Sequence, residues 1–240
     1  MAKDTLFGGA LVLHQPARGE GYRVNVDALL LAWFAGASRR AARVVDLGAG
    51  VGAVGLCLLH RDRAGDVLFV EKDSSLSRLS IKNLLANGWE TRGRALAADV
   101  GDAEALATVR ADLVVCNPPY VAPGRGRSPV VGKGARMGEL GVFVTAARRM
   151  LGRGRACFVY PAGELTTLLA TLRSSGLEPK RISLVHSKAE EPARVVLVEA
   201  VPGKRGGLVV SPPLIERTEK GPTATLAAIL AGAPQPRPPF

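Results

Sequence analysis

Between Val44 and His60 the chain joins an apolar run, Val44-Val45-Asp46-Leu47, to three glycines spaced two apart, Gly48, Gly50 and Gly52, and passes at once into the apolar stretch from Ala53 to His60. Such a run reads as a strand buried on both faces, the mark of a parallel sheet. Glycines at its end let the backbone adopt left-handed conformations and approach a ligand, and a helix starting there offers unpaired N–H groups. The alternation continues with strand 66–71, helix 74–86 stopped by Asn87-Gly88, strand 94–98, helix 102–109, strand 111–116, helix 139–151, strand 155–160 and helix 163–174. Strands 180–186 and 193–200 follow without room for a crossover helix, so they form an antiparallel hairpin. Ahead of all this, Gly8-Gly9 marks a hairpin with Leu11 and Leu13 alternating on the return strand, then a helix from Val26 to Gly36. The expected fold class is α/β: a doubly wound, mostly parallel seven-stranded sheet ending in an antiparallel hairpin, with a short N-terminal hairpin and helix. One domain covers 1–230, with 1–40 as the N-terminal hairpin and helix, 43–200 as the core sheet, and 231–240 as a Pro-rich tail.

Three acids fall at successive strand ends. Gly50-x-Gly52-x-x-Gly55 formally matches a dinucleotide fingerprint, but Asp46 stands two residues before Gly48, where a carboxylate suits a cationic or hydrogen-bond-donating ligand and repels phosphate. Glu71 closes the next strand and can accept from the two hydroxyls of a ribose; Asp99 closes the third and is placed for an adenine amino group. The fourth strand runs into Asn117-Pro118-Pro119-Tyr120. An amino group on an aromatic ring is a poor nucleophile because its lone pair is delocalised. The Asn117 oxygen and the Pro118 carbonyl can each accept one amino hydrogen, and Tyr120 can stack on the base. Two prolines stiffen the turn and aim its carbonyls. Together these residues describe one crevice at the carboxyl edge of the sheet, equipped to methylate an exocyclic or amide nitrogen.

With these motifs the chain resembles the class I S-adenosylmethionine-dependent methyltransferases carrying an Asn-Pro-Pro-Tyr turn, whose fold is Rossmann-like. The stretch from Gly21-Tyr22-Arg23 through Asn25-Val26-Asp27 to Ala32, together with Val185-His186-Ser187, Val196-Leu197-Val198-Glu199 and Pro212-Pro213-Leu214-Ile215, is similar to the bacterial valine-tRNA adenine-N6 methyltransferases. That resemblance implies S-adenosylmethionine as cofactor and an adenine of a tRNA anticodon loop as acceptor. It assigns Asp46, Gly48, Ala49, Gly50, Glu71, Asp99, Val100 and Asn117 to the cofactor, and Asp27 to the cofactor's methionine end. Asn117, Pro118, Pro119 and Tyr120 fall to the target base.

Lys and Arg number 32 against 21 acids, a net charge of +11, which suits a polyanionic partner. With 28 glycines and 16 prolines, the alternative reading of that excess is the coding bias of a GC-rich genome. Charge distribution says more: Pro123 to Gly138 reads as an acid-free, Gly-rich loop with Arg125, Arg127, Lys133 and Arg136, beginning three residues after Tyr120 and therefore bordering the crevice. These four are the candidate phosphate contacts. Cys57, Cys116 and Cys157 show no metal-ligand spacing and read as reduced core residues of a cytoplasmic protein; the three histidines are scattered, and no metal is expected. Neither a secretory leader nor a membrane-length apolar run is expected, and a monomer is favoured. The same amino clamp serves a protein glutamine methyltransferase or a DNA adenine methyltransferase, and a non-catalytic nucleic-acid-binding module of this fold is the remaining alternative.

Overall fold

The structure is a computed structural model that describes residues 1–20, 23–118, 133–203 and 205–233, with the side chains of 133–139 left out of the description. Its main sheet is built from β3 (Ala41–Leu47), β4 (Ala64–Glu71), β5 (Gly93–Ala97), β6 (Ala111–Cys116), β7 (Leu151–Pro161), β8 (Leu177–His186) and β9 (Ala193–Pro202), in the spatial order β8-β9-β7-β6-β3-β4-β5. The pairs β3/β4, β4/β5, β3/β6 and β6/β7 are parallel, whereas β9 runs antiparallel to both β7 and β8. This is the expected sheet. Two further short strands, β10 (Val209–Val210) and β11 (Leu214–Ile215), pair in parallel with β8 along its outer edge. The order reverses between β3 and β6, the switch point at which a doubly wound sheet opens a crevice at its carboxyl edge.

Alternate strand residues feed two cores. Val44, Val67, Phe69, Leu113, Val115, Cys157 and Val159 face one side, where they meet α1 (Val26–Gly36), α2 (Ala53–His60), α3 (Ser74–Ala86) and α6 (Ala224–Leu230). Val45, Leu47, Leu68, Val70, Val114, Cys116 and Phe158 face the other, against α4 (Lys133–Met150) and α5 (Leu165–Ser174). Continuous apolar runs are what burial on both faces requires. The N-terminal hairpin, β1 (Ala2–Leu6) and β2 (Leu11–Gln15), turns through Phe7, Gly8 and Gly9, and Leu11 and Leu13 are fully buried as the alternation demands.

Two buried arginines fix the far end of α1. Arg155 of β7 donates to the Ala35 and Arg39 carbonyls, and Arg181 of β8 donates to the Phe34 carbonyl while lying 3.8 Å over the Phe34 ring. Both face Glu199 of β9, at 3.7 and 3.0 Å. Last-turn helix carbonyls lack intrahelical partners, and cations there are favoured by the helix dipole.

Residues 102–109 depart from expectation: they form successive turns and no helix. Asp102 caps Glu104 and Ala105 as it would at a helix start, but of 103–109 only Leu106 is buried. A single anchored side chain is too little packing to offset the cost of helix nucleation in so short a segment. The boundary after the basic segment also shifts. Because α4 begins at Lys133, residues 133–138 are helical where a loop was expected; Gly134 and Gly138 weaken a helix by only about 1 kcal/mol each. The Pro-rich end, 234–240, lies outside the described residues.

Close packing of α2 on the sheet depends on Gly55, where an added Cβ would lie 2.5 Å from Phe69 Cε1 and 2.7 Å from Val67 Cγ1. Gly55→Ala is expected to destabilise the protein by about 1–3 kcal/mol through overpacking, read as a lower urea midpoint at unchanged slope.

Candidate cofactor and acceptor site

Strand register places the site residues before any side chain is considered. Leu47 is opposite both Val70 and Cys116, so the next residue on each strand, Gly48, Glu71 and Asn117, falls in one row at the carboxyl edge. Glu71 is in turn opposite Ala97, which sets Asp99 two residues beyond on the neighbouring strand.

The glycine turn is left-handed at three points, with φ of +67° at Gly48, +56° at Gly50 and +85° at Gly52. A Cβ at Gly48 would sit 3.0 Å from the Phe143 ring of α4, so the turn is closed from that side as well as bent. Gly48 and Ala49 both donate N–H to the Val70 carbonyl. The two acids secure the rest. Glu71 accepts from Gly50 N–H at 2.8 Å through one oxygen and from Asp73 N–H at 2.9 Å through the other. Each oxygen has a second lone pair, so hydroxyl donors such as those of a ribose can still be accepted.

Asp46 differs from its expected setting. Strand alternation sends its side chain to the α2 side, beneath the turn, where it is 2% exposed and accepts the Gly55 N–H at 3.0 Å. Burial pushes its carboxyl up to about 7 against the pull of that hydrogen bond, and the nearby Glu71 charge adds to the rise. Asp46 therefore supports the turn from below. Asp99 is exposed, with one oxygen accepting from Gly101 N–H at 2.7 Å, and Val100 beside it is buried in the second core. Asn117 is partly exposed and Pro118 buried. Pro119, Tyr120, Arg125 and Arg127 lie outside the described residues, as do the side chains of Lys133 and Arg136, whose backbone lies on α4.

Asp27 sits in the first turn of α1 behind the N-cap Asn25 and is 4% exposed. Arg194 of β9 donates to it at 2.5 Å and grips Glu216 with two further hydrogen bonds, at 2.8 and 2.5 Å. A bidentate arginine between two acids joins segments 167 and 22 residues apart in sequence. Neither Arg194 nor Glu216 stood out in the sequence, since nothing local marks a partner so distant. Asn83 was missed for the same reason; its carboxamide donates to the Val51 carbonyl inside the glycine turn.

The left-handed turn, the ribose-competent carboxylate of Glu71 and the acid under the turn fit an adenosyl cofactor bearing a cationic sulfur. Among the described residues no group of three or more His, Cys, Asp or Glu could hold a metal, and no helix is long and apolar enough to cross a membrane.

Residues 25–153 match the family described as the methyltransferase small domain. A tRNA1(Val) (adenine(37)-N6)-methyltransferase of Shewanella amazonensis is 31% identical, the match covering 75% of this chain and 78% of that one. The enzyme so named from Dickeya chrysanthemi is 30% identical over 77% and 74%. Among solved structures, a predicted O-methyltransferase, protein Atu636 from Agrobacterium tumefaciens, superposes with a TM-score of 0.70 at 26% identity, over 88% of this chain and 99% of that chain.

The Asp46 carboxyl, ordinarily at 3.8 and about 7 here, binds its proton more tightly in the folded than in the unfolded chain. Its stabilising contribution is complete below about pH 4 and is lost as pH rises through about 7. Asp46→Asn keeps an oxygen for the Gly55 N–H and carries no charge. In cofactor-free protein it is expected to raise the melting temperature at pH 8 and to flatten the decline between pH 5 and 8, both followed by scanning calorimetry; a slope matching the unsubstituted protein would contradict it.

Proposed function

Because the chain belongs to the methyltransferase small domain family and is an S-adenosylmethionine-dependent N-methyltransferase, we propose that its acceptor is the exocyclic amino group of an adenine in tRNA, converted to N6-methyladenosine. The observation that carries this is the position of Asn117: it continues β6 into the same edge row as Gly48 and Glu71, so an amino-accepting side chain stands beside the cofactor turn. The relatives named above are enzymes of this reaction by their descriptions. The Agrobacterium neighbour is described as an O-methyltransferase, but an oxygen acceptor has no use for a second hydrogen acceptor, which is what Asn117 and Pro118 supply together.

In this reading Gly48, Ala49, Gly50 and Glu71 hold the cofactor's sugar and backbone, Asp99 and Val100 its adenine, and Asp46 acts through its charge. Asp27, fixed by Arg194, borders the methionine end. S-adenosylmethionine, when bound, supplies an electrophilic methyl group on a sulfonium centre. The protein's part is to hold the acceptor: the Asn117 oxygen and Pro118 carbonyl accept hydrogen bonds from the two amino hydrogens and leave the nitrogen lone pair free, Tyr120 stacks on a base turned out of its helix, and the surplus proton passes to solvent once the methyl is transferred. No base of shifted pKa is needed, since orientation and exclusion of water account for the rate. Phosphate contacts fall to Arg125, Arg127, Lys133 and Arg136, the cations of the acid-free stretch that follows Tyr120 in the sequence.

Incubation with labelled S-adenosylmethionine and total tRNA from a strain lacking this gene is expected to yield label in N6-methyladenosine. Asn117→Ala is expected to abolish this turnover while leaving cofactor affinity nearly unchanged. Full activity of that variant would remove Asn117 from the site, and label in protein amides instead of tRNA would remove the acceptor class.

A further inference from the structure

Helix α3 buries a polar stripe. Ser77, Ser80 and Asn83, three residues apart on one face, are 4%, 0% and 0% exposed. Buried polar groups must find partners. Ser80 finds one inside its own helix, donating to the Ser77 carbonyl at 2.8 Å. Asn83 looks outward: its oxygen accepts the His14 N–H at 2.6 Å, and its amide nitrogen donates to the His14 carbonyl at 3.0 Å and to the Val51 carbonyl at 2.9 Å. One turn later Asn87 treats Val12 the same way, accepting its N–H at 2.9 Å and donating to its carbonyl at 2.8 Å. Two carboxamides thus take the place of a neighbouring strand along the outer edge of β2.

The two asparagines differ in one respect. The second donor of Asn87 goes to the Asn83 carbonyl within α3, whereas that of Asn83 enters the glycine turn. Val51 is fully buried between Gly50 and Gly52, both left-handed. Gly52 lets the Val51–Gly52 peptide rotate at little steric cost, so a hydrogen bond to the Val51 carbonyl decides which way that peptide faces and, with it, the direction of the Gly52 N–H, which donates to the Ala49 carbonyl across the turn at 2.8 Å.

We propose that Asn83 is a positioning residue for the cofactor: its carboxamide, held in place by β2 of the N-terminal hairpin, fixes the Val51 carbonyl of the glycine turn, so that cofactor affinity depends on this side chain. The proposal rests on the glycine turn being the cofactor's site, and the experiment separates the two. S-adenosylmethionine and its demethylated product are titrated calorimetrically into four variants. Glu71→Ala is the reference that weakens binding if the turn is the site at all. Asn83→Ala is expected to weaken binding about tenfold, as for loss of a buried hydrogen bond, with kcat at saturating cofactor changed by no more than about twofold. In cofactor-free protein, amide exchange at Val51 and Gly52 is expected to accelerate. Asn87→Ala, which loosens the hairpin and the last turn of α3 without removing the contact to the Val51 carbonyl, is expected to lower the melting temperature with cofactor affinity intact. Asn83→Asp, nearly the same shape, places a carboxylate against the Val51 and His14 carbonyls and is expected to weaken binding at least as much as alanine, which keeps the test valid if the alanine variant unfolds. Equal losses in Asn83→Ala and Asn87→Ala, or unchanged affinity in both Asn83 variants, would overturn the role. Unchanged affinity in Glu71→Ala as well would remove the site assignment itself. None of these titrations depends on whether tRNA is the acceptor.

Discussion

Two carboxylates that hold one turn organise this protein. The start of α2 presents orphan backbone N–H groups at the point where β3 ends, and burial there would be costly if they found no partner. Asp46 takes the Gly55 N–H from within the core, and Glu71 takes those of Gly50 and Asp73 from the next strand. Through these contacts β3, β4, α2 and the start of α3 are fixed relative to one another, and the row of edge residues that includes Asn117 follows from strand register. The arrangement carries an electrostatic penalty, seen in the elevated Asp46 carboxyl. Carboxylates held at such a cost suit a cationic ligand, whose arrival relieves part of it.

Much of this was legible in the sequence because it is local. The apolar runs, the glycine spacing and the acids at strand ends are written within a few residues of where they act, and the hairpin geometry of β8 and β9 follows from a connection too short for a helix. What escaped was long-range or marginal. Nothing near Asp27 in sequence marks Arg194 as the residue that fixes it, and Asn83 reads as one more polar residue of a helix until β2 is seen to need a partner. The segment 102–109 has helix-compatible composition but buries only Leu106, and local propensity alone does not hold a helix of that length.

Net charge also reads differently once the arginines are placed. Arg155 and Arg181 cap α1, Arg194 bridges two acids, and Arg61 donates to the Ile229 carbonyl of α6 while lying over the Phe7 ring. These cations do structural work in the interior and along its margins, but Arg155, Arg181 and Arg194 are balanced there by Glu199, Asp27 and Glu216, so of the +11 total only the Arg61 charge is taken up.

The short strands β10 and β11 carry a consequence for behaviour at high concentration. Strands β8 and β9, ten residues each, form a hairpin whose outer edge, that of β8, would otherwise be a template for β-addition by another molecule. β10 occupies that edge at Arg181 and Ile182, and β11 at Val185 and His186. Between them Ser211 donates to the Ile182 carbonyl, followed by Pro212 and Pro213, which have no N–H to offer an incoming chain. The edge is thus closed in two short stretches joined by a proline step, guarding the protein against edge-to-edge aggregation.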